Sequence, residues 1–275
     1  EIKARNIFKD VKYQVINGSK NDLKIIEILV EEKPTGEISA GAGIGTNGGS
    51  FAFNVKESNW LGKGQTVSAE LEVDAESLGG ILVFTDPNYD FLGNTLNYSI
   101  ASESNDKPDQ GYENTVTSLG INTSFEQYED FRVNLGLSAS YDDLRTDGSA
   151  SEALKKQKGT FSEIAGSYNF SFDQRNRAFR PTDGSIFNFG QTLPFYADKS
   201  YISNFLSFNS YKTLTEDIIG SGKFSLSTIN GLGSDDVQLS KRKSLSSRRM
   251  RGFEKGKIGP VDSSDHIGGN YASVI

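Results

Sequence analysis

Residue types that commonly carry catalysis are scarce in this sequence. His266 is the only histidine, so a Ser-His-Asp triad would depend on it. It stands in a polar segment, SSDHIGGN, which favours a solvated side chain. Asp235 and Asp236 suggest a metal site, but the sequence GSDD is more often a polar turn. The sequence therefore predicts no enzyme, no catalytic residue and no metal site.

A glycine-rich segment, ISAGAGIGTNGG at residues 38–49, superficially suggests phosphate binding. A phosphate-binding loop needs a following helix and a lysine in place, and both are missing here. The segment reads better as a strand in which glycines occupy one face. The opposite face carries Ile38, Ala40, Ala42 and Ile44. Because glycine weakens a strand and allows close approach, we expect this strand to pair less firmly than the others, and we expect no cofactor.

A basic cluster lies between residues 241 and 257. It consists of Lys241, Arg242, Lys243, Arg248, Arg249, Arg251, Lys255 and Lys257. From composition alone, a solvated loop or a contact with anionic lipid headgroups is the simpler interpretation. Over the whole chain, 36 acidic residues exceed 29 basic ones and give a net charge of −7. This balance argues against a nucleic-acid-binding protein, which usually carries a basic face.

From Gly36 onwards, apolar and polar residues alternate with a period of two. In residues 131–141, for example, Phe131, Leu135 and Leu137 alternate with polar or small residues. The pattern indicates twelve strands, near 36–47, 49–58, 66–77, 79–86, 95–106, 112–127, 131–144, 160–173, 185–196, 201–213, 218–233 and from 269 onwards. A soluble antiparallel sandwich also alternates in this way. Strands near ten residues long, and long linkers confined to odd-numbered strands (145–159 and 234–268), favour a transmembrane β-barrel instead.

Residues 1–35 differ from the barrel pattern. The spacing of Ala4, Ile7, Phe8 and Val11 predicts a helix. Two strands should follow around an Asn-Gly turn, with a buried run made of Ile25, Ile26, Ile28, Leu29 and Val30. Residues 32–36 make a stiff join, because Pro34 blocks strand pairing. This part is too small to fold alone, and we interpret it as the tail of a small α/β domain.

Five motifs, in order along the chain, resemble the BamA family of barrel-assembly proteins. They are EEKPTGEISAGAG (31–43), NWLGKGQ (59–65), FTDPNYDFLG (84–93), FDQRNRAFRPTDGSIFNFG (172–190) and MRGFEKGKIGP (250–260) followed by GGN (268–270). The third and fourth carry the family's Asp-Pro turn and its Asp-x-Arg and Pro-Thr-x-Gly elements. Met250 and Glu254 depart from the family pattern. The resemblance covers essentially the whole chain.

The resemblance implies an all-β membrane barrel preceded by the α/β tail of a POTRA domain. Residues 1–35 would be the C-terminal part of the last POTRA domain, on the periplasmic side. Residues 36–275 would be a transmembrane barrel truncated before its last strands, because the family has sixteen strands and this chain shows about twelve. We therefore expect a fragment at both ends, with unpaired first and last strands that recruit other chains.

The resemblance also implies the working parts. In the family the Arg-Gly-Phe loop folds into the lumen. Here that loop motif is Met250, Arg251, Gly252 and Phe253. Arg251 would need an acidic partner, which would lie on the missing strands, while Gly252 would allow a tight turn and Phe253 would pack against the wall. The weak seam for client strands would be Ile38, Ser39, Ala40, Gly41, Ala42, Gly43 and Ile44.

The implied function is insertion of β-barrel proteins into the bacterial outer membrane. Its partners would be client barrels, Bam lipoproteins and outer-membrane lipid, with no nucleic acid. Three alternatives stay open at this point: a two-partner secretion pore or TamA-like protein of the same superfamily, a passive porin, and a soluble sandwich or adhesin. The number of POTRA domains separates assembly from export, and detergent-free solubility would favour the sandwich.

Overall fold

The structure is a computed structural model that describes residues 7–20, 22–45, 48–234, 236–245, 250, 252, 253 and 257–275. Within these ranges almost all regular structure is strand. The only α-helix among them is α1, Glu152–Lys155, capped by the Ser151 hydroxyl, which accepts a hydrogen bond from the Leu154 amide. Single 3₁₀ turns occur at Pro108–Gln110 and Leu239–Lys241. In the described part, no helix has the length and apolarity needed to cross a membrane.

The N-terminal part is an antiparallel hairpin. Strand β1 (Phe8–Asn17) pairs with β2 (Lys24–Glu32) in register from Val11 opposite Val30 to Asn17 opposite Lys24. The predicted pair of strands is thus confirmed. The helix expected over Ala4 to Val11 is wrong from Phe8 onwards, because the Phe8–Val11 backbone pairs with β2. Ala4 lies outside the described residues.

The expectation of a buried run in β2 is also wrong. Every residue of β2 is exposed, including Ile25, Ile26, Ile28, Leu29 and Val30. The physical reason is that β1 and β2 form a separate sheet of two strands, and no other described strand or helix packs extensively on it. A two-stranded hairpin has no interior of its own, so its apolar side chains stay exposed until another element covers them.

The remaining long strands form one sheet of twelve. Its members are β3 (Gly36–Gly45), β4 (Gly48–Trp60), β5 (Gln65–Val73), β6 (Ser77–Asp86), β7 (Thr95–Lys107), β8 (Tyr112–Tyr128), β9 (Phe131–Thr146), β10 (Gly159–Asp173), β11 (Gly184–Ala197), β12 (Tyr201–Thr215), β13 (Ile218–Gly231) and β16 (Tyr271–Val274). A short hairpin, β14 (Val261–Asp262) with β15 (Asp265–His266), precedes the last strand. The twelve strands predicted from the alternation are confirmed.

Each strand of the large sheet is antiparallel to the next one along the chain. The order runs from β3 at one edge through β13 to β16 at the other, and β3 and β16 are not paired with each other. The sheet is therefore an open, partial barrel over the described residues. The long linkers 147–158 and 232–270 leave from one rim, which we call the loop rim. The turns 61–64, 87–94, 129–130, 174–183 and 216–217 lie at the opposite rim, the turn rim.

The cross-strand register separates the sheet into two faces, because directly opposite residues point to the same side. The apolar face carries Phe131, Leu135, Phe170, Phe172, Phe187, Phe189 and Leu226, through pairs such as Phe172 with Phe187 and Leu206 with Leu226. Aromatic rings follow one another along it, with Phe131 and Phe170 stacked at 5.9 Å between centroids. The polar face carries mainly Asn, Ser, Thr, Gly and a few charged residues.

Candidate functional site

The polar face is covered near the loop rim by part of the long linker. Residues 236–245, which we call the docked segment, lie across β8, β9, β10 and β12. Two acidic side chains on the sheet, the buried Asp142 of β9 and the partly buried Glu163 of β10, hold this segment. These residues lie opposite Val116 of β8 and Ser140 of β9, so both carboxylates point to the polar face.

Asp142 is the centre of the first contact. Asp142 is buried, with only 2 % of the residue exposed. The Oδ1 atom accepts a hydrogen bond from Asn114 Nδ2 at 2.9 Å. The Oδ2 atom accepts from Gln238 Nε2 at 2.7 Å and from Ser240 Oγ at 2.7 Å. One buried carboxylate thus joins strand β8 to two residues of the docked segment, and its charge is shared by three donors.

Glu163 forms the second contact. Lys241 Nζ donates to Glu163 Oε2 at 3.0 Å, and the Tyr201 hydroxyl donates to the same carboxylate at 2.7 Å to Oε1. The Lys241 ammonium also lies 5.5 Å from the centroid of the Tyr201 ring. A cation, a carboxylate and an aromatic ring from three different elements are therefore grouped in one partly buried cluster.

Apolar contacts lie on either side of these polar ones. Val237 is buried with Tyr201 and Ile229. Leu239 is buried with Tyr112, Leu144, Ala150 and Leu154, and Phe161 packs against that cluster. These apolar side chains from the strands are exceptions on the polar face, and they occur where the docked segment covers them. Burial of Val237 and Leu239 stabilises docking by about 1.5–3 kcal/mol for each side chain.

The lysines of the docked segment differ in their electrostatics. Burial by itself lowers the pKa of the Lys241 ammonium, but Tyr201 and Glu163 act in the opposite direction, and together they raise the pKa of Lys241 above its ordinary value. Burial lowers the pKa of Lys243, and the nearby positive charge of Lys241 lowers it further. The folded protein thus favours the protonated form of Lys241 and disfavours the protonated form of Lys243.

The interpretation of the basic cluster as solvated is wrong for its first three members. Lys241 bonds Glu163, Lys243 Nζ donates to Ser203 Oγ at 3.0 Å, and the Arg242 guanidinium pairs with Asp236 at 2.7 Å. Lys257 lies 3.6 Å from Asp109. The reason is that the docked segment lies on the polar face, where acidic and hydroxyl groups contact it. Arg248, Arg249, Arg251 and Lys255 lie outside the described residues.

The predicted loop motif is only partly visible. Arg251 lies outside the described residues, and Met250 is half-buried. Gly252 has a φ of 89°, a left-handed conformation that suits the expected tight turn. Phe253, expected against the wall, is 56 % exposed. The roles of Met250, Arg251, Gly252 and Phe253 stay predictions.

The predicted seam coincides with an edge of the sheet. Ile38, Ser39, Ala40, Gly41, Ala42, Gly43 and Ile44 all belong to β3, which pairs with β4 along its whole length. Ile38 is 75 % exposed and Ile44 is 96 % exposed. A Cβ atom added at Gly41 would meet no atom within 4 Å. The edge therefore has little side-chain packing on either face, and its backbone is accessible.

The structure describes His266 and Asp236, one member of the acidic pair. His266 lies in β15 and is half-buried rather than solvated, and its Nδ1 atom is buried with no hydrogen-bond partner among the described residues. Asp236 pairs with Arg242, and Asp235 lies outside the described residues. Within the described ranges, no group of three or more His, Asp or Glu side chains is placed to hold a metal ion.

Sequence reasoning missed Asp142, Glu163, Tyr201 and Gln238. The only available signal was local: Asp142 and Glu163 are charged residues at polar-face positions of strands whose other polar-face residues are mostly uncharged. Nothing in the local pattern indicates that a segment some hundred residues later supplies their partners.

Comparison with known proteins places the chain in a family. Residues 59–274 match the Omp85 superfamily domain, so the chain belongs to the Omp85 superfamily. It is 26 % identical to the outer membrane protein assembly factor BamA of Neorickettsia risticii, over 90 % of this chain and 34 % of that protein. It is 25 % identical to the BamA of Nitratidesulfovibrio vulgaris, over 98 % of this chain and 35 % of that protein. The resemblance to the BamA family is confirmed.

A eukaryotic protein and a crystal structure are also similar to the chain. The human sorting and assembly machinery component 50 homolog is 23 % identical over 82 % of this chain and 49 % of its own length. The crystal structure of BamA from Haemophilus ducreyi lacking POTRA domains 1–3 superposes with a TM-score of 0.88 at 21 % identity, over 99 % of this chain and 58 % of that one. This confirms the barrel fold. The chain spans about a third of the length of the two BamA relatives.

Proposed function

We propose that this chain is the barrel part of an outer-membrane protein that inserts other β-barrel proteins into that membrane. The observation that carries the proposal is the edge strand β3, which is glycine-rich and poorly packed. The names of the relatives, assembly factors in two bacteria and an assembly component in human, support assembly over export. Residues 1–35 would be the end of a periplasmic POTRA domain, and Bam lipoproteins would be further partners.

The mechanism follows from the chemistry of a strand edge. A client strand adds to β3 through backbone hydrogen bonds, which is β-augmentation. Each backbone hydrogen bond lost with one partner strand is replaced by a bond to the next, so exchange of one partner strand for another is nearly neutral. The glycines keep side-chain packing from opposing this exchange. The driving force is the burial of the client's own apolar surface in lipid, so no nucleotide is needed.

The docked segment gives the polar face a second role. It occupies the loop-rim end of the polar face, which argues against a passive open pore. Because it is fixed by Asp142 and Glu163, the linker that carries Arg251 has a defined attachment point. We infer that docking holds the Arg-Gly-Phe loop in place while clients assemble at β3.

Site-specific photo-crosslinking tests the proposal. A photoreactive amino acid replaces Ala40 on β3 of the full-length protein, which is then offered an unfolded client barrel in lipid vesicles. We expect crosslinks to a terminal strand of the client. The matched control is the same substitution at Leu119 of β8, an apolar-face position in the middle of the sheet. Equal crosslinking at both positions, or none at Ala40 during productive insertion, would contradict pairing at β3.

A further inference from the structure

A cavity of about 390 Å³ lies beside the docked segment, on the wall formed by β8 to β12. Its volume is within the range of roughly 300–1,000 Å³ that is typical of small-ligand pockets. The cavity follows a row in which Leu135, Tyr168, Gln191 and Asn204 are neighbours on adjacent strands. The lining residues one step to either side of this row belong to the polar face; they are Asn122, Asn134, Gly136, Ser167, Asn169, Gly190, Thr192, Ser203 and Phe205. The cavity therefore opens on the polar face.

Two glycines make the wall concave at this point. The Ser167 hydroxyl lies over Gly136, where an added Cβ atom would be 2.6 Å from the hydroxyl oxygen. The Asn169 amide lies over Gly190, where an added Cβ atom would be 3.1 Å from Nδ2. A side chain at either glycine would displace the polar group beside it. Glycine at these positions thus keeps a hydroxyl and an amide at the floor of the cavity.

The strand residues that line the cavity are uncharged, and most of them are polar. The polar ones are three amides and three hydroxyls: Asn122, Asn134, Asn169, Ser167, Thr192 and Ser203. Amides and hydroxyls both donate and accept hydrogen bonds, which suits a ligand whose own hydroxyls do both. Phe205 lies opposite Gly190 and adds an apolar surface for the C–H face of a sugar ring. The lining is thus complementary to a hydroxyl-rich ring.

Two of the amides keep donors for a ligand. Asn97 Nδ2 donates to Asn122 Oδ1 at 3.0 Å, and Asn134 Nδ2 donates to Asn169 Oδ1 at 3.4 Å. The acceptor in each pair is the amide oxygen, so within the described part of the chain the Nδ2 groups of Asn122 and Asn169 are left to donate elsewhere.

The backbone of the cavity wall is already used. Along the row, β9 pairs with β8 and β10, β11 pairs with β10 and β12, and β12 pairs with β13. An extended peptide binds a sheet mainly through main-chain hydrogen bonds at a free edge. A wall without a free edge at the cavity favours a ligand that side chains recognise, which is a saccharide rather than a peptide.

One cation reaches the edge of the cavity. Lys243 Nζ donates to Ser203 Oγ at 3.0 Å, and Ser203 lines the cavity. This partner is a neutral hydroxyl, whereas the neighbouring Lys241 is paired with Glu163. Burial and the positive charge of Lys241 lower the pKa of Lys243. An anionic group bound beside Ser203 would act in the opposite direction, because a nearby opposite charge favours the cationic form.

We propose that this cavity binds a soluble acidic saccharide, a hydroxyl-rich ring that carries one carboxylate, with the carboxylate beside Lys243. Asn169 and Thr192 bond the ring hydroxyls, and Phe205 packs against the C–H face of the ring. The cavity opens on the polar face and not on the apolar one, so the ligand is a soluble saccharide and not the headgroup of a membrane lipid. Binding uses no residue of β3, so it is separate from client pairing at that edge.

Calorimetric titration of the full-length protein tests the site. The protein is kept in lauryldimethylamine oxide, because detergents with sugar headgroups would compete. The probes are glucuronate, glucose and acetate. We expect glucuronate to bind more tightly than glucose or acetate, because it alone carries both the ring and the charge. Lys243→Met should weaken glucuronate binding about tenfold or more, as expected for loss of a hydrogen bond to a charged group.

A second variant covers the case in which Lys243→Met loosens the docked segment. Thr192→Val changes only the wall of the cavity and should weaken binding of both sugars. The matched control is Thr66→Val, a polar-face threonine of β5 outside the cavity, which should bind as the native protein does.

Several results would overturn the proposal. Equal affinity for glucuronate and acetate would indicate anion binding only, and equal affinity for glucuronate and glucose would remove the acidic group. Absence of glucuronate binding, or binding that neither Lys243→Met nor Thr192→Val weakens, would contradict this site. Tighter binding of a short aspartate-containing peptide than of glucuronate would indicate a peptide site instead. Client insertion is not measured, so failure of the proposed function registers separately.

Discussion

Gln238 Nε2 donates a hydrogen bond of 2.7 Å to Asp142 Oδ2, joining two residues that are 96 positions apart in the chain. Both residues are buried. The bond ties the longest linker to the wall of the sheet at a position where a carboxylate would otherwise lack enough donors. Closing so large a loop carries a conformational entropy penalty, so docking depends on several contacts made together.

Asp142→Ala should release the docked segment. The substitution leaves the donors on Asn114, Gln238 and Ser240 without their acceptor, and each buried unpaired donor costs about 1–3 kcal/mol before water enters. We expect faster trypsin cleavage in residues 236–245 and a lower free energy of unfolding in detergent. Limited proteolysis of the full-length protein followed by mass spectrometry measures the first effect.

Asp143→Ala is the matched control for this variant. Asp143 is the next residue, lies on the opposite face of β9 and pairs with Arg145 at 2.9 Å at the surface. Exposed ion pairs contribute about 0–1 kcal/mol, so cleavage of the docked segment should be unchanged. Similar cleavage rates for the two alanine variants would show that Asp142 does not hold the segment.

The Lys241–Glu163 pair should show strong energetic coupling. A double-mutant cycle uses Lys241→Met, Glu163→Gln and the combination, with the free energy of unfolding as the readout. Because both partners are largely buried, we expect a coupling energy on the order of 1–3 kcal/mol. The reference is the exposed pair Lys212–Asp183, also 3.0 Å apart, for which much weaker coupling is expected because solvent screens it. Equal coupling in the two cycles would contradict the role of burial.

Local sequence pattern was sufficient for the sheet but not for the site. The alternation in β9 predicted residues 131–144, and the strand spans Phe131–Thr146. Period-two alternation is a local property that survives in long strands with one lipid-facing side. Near the N-terminus, the spacing of Ile7, Phe8 and Val11 fitted a helix, and pairing of β1 with β2 overrode it from Phe8 onwards. The partners of Asp142 and Glu163 come from a distant linker, and no local period encodes such contacts.

Arg251→Ala should reduce client insertion more than Arg248→Ala does. The reason comes from the family resemblance: removal of a partnered Arg from a confined interior costs on the order of 3–5 kcal/mol, because its partner is left unpaired, whereas removal of a solvated Arg costs little. Arg251→Lys should also be impaired, because an ammonium lacks the planar bidentate fork. The assay is insertion of a client barrel into vesicles at matched protein levels. Lys243→Ala is not a solvated control, because Lys243 bonds Ser203. Equal loss of client insertion in both alanine variants would contradict a partnered role and would indicate that Arg251 is one charge of a solvated loop.

Gly184→Ala should impair folding of the β10–β11 turn. Gly184 has a φ of 92°, and a Cβ atom there would lie 2.1 Å from the Gln174 carbonyl oxygen. The Gln174 backbone cannot shift without disturbing the turn, so we expect the free energy of unfolding to fall by at least about 3 kcal/mol, above the cost of backbone strain alone. The control is Gly222→Ala on β13, where no atom lies within 4 Å of the added Cβ. Heat-modifiable migration on gels measures the folded fraction, and equal folding of both variants would contradict the steric argument.

The stabilisation from Lys241 should disappear at high pH. Its pKa is raised in the folded protein above the ordinary value of 10.5, so the protonated form is favoured by folding. The contribution is fully present below pH 10.5 and is lost as the pH rises through the folded-state pKa. The difference in unfolding free energy between the native protein and Lys241→Met should therefore be constant at neutral pH and narrow above pH 10.5. The pKa of Lys243 is shifted in the opposite direction, because burial lowers it. Loss of the charge in Lys243→Met should therefore not lower the free energy of unfolding at neutral pH. Parallel pH profiles for the two methionine variants would contradict this assignment.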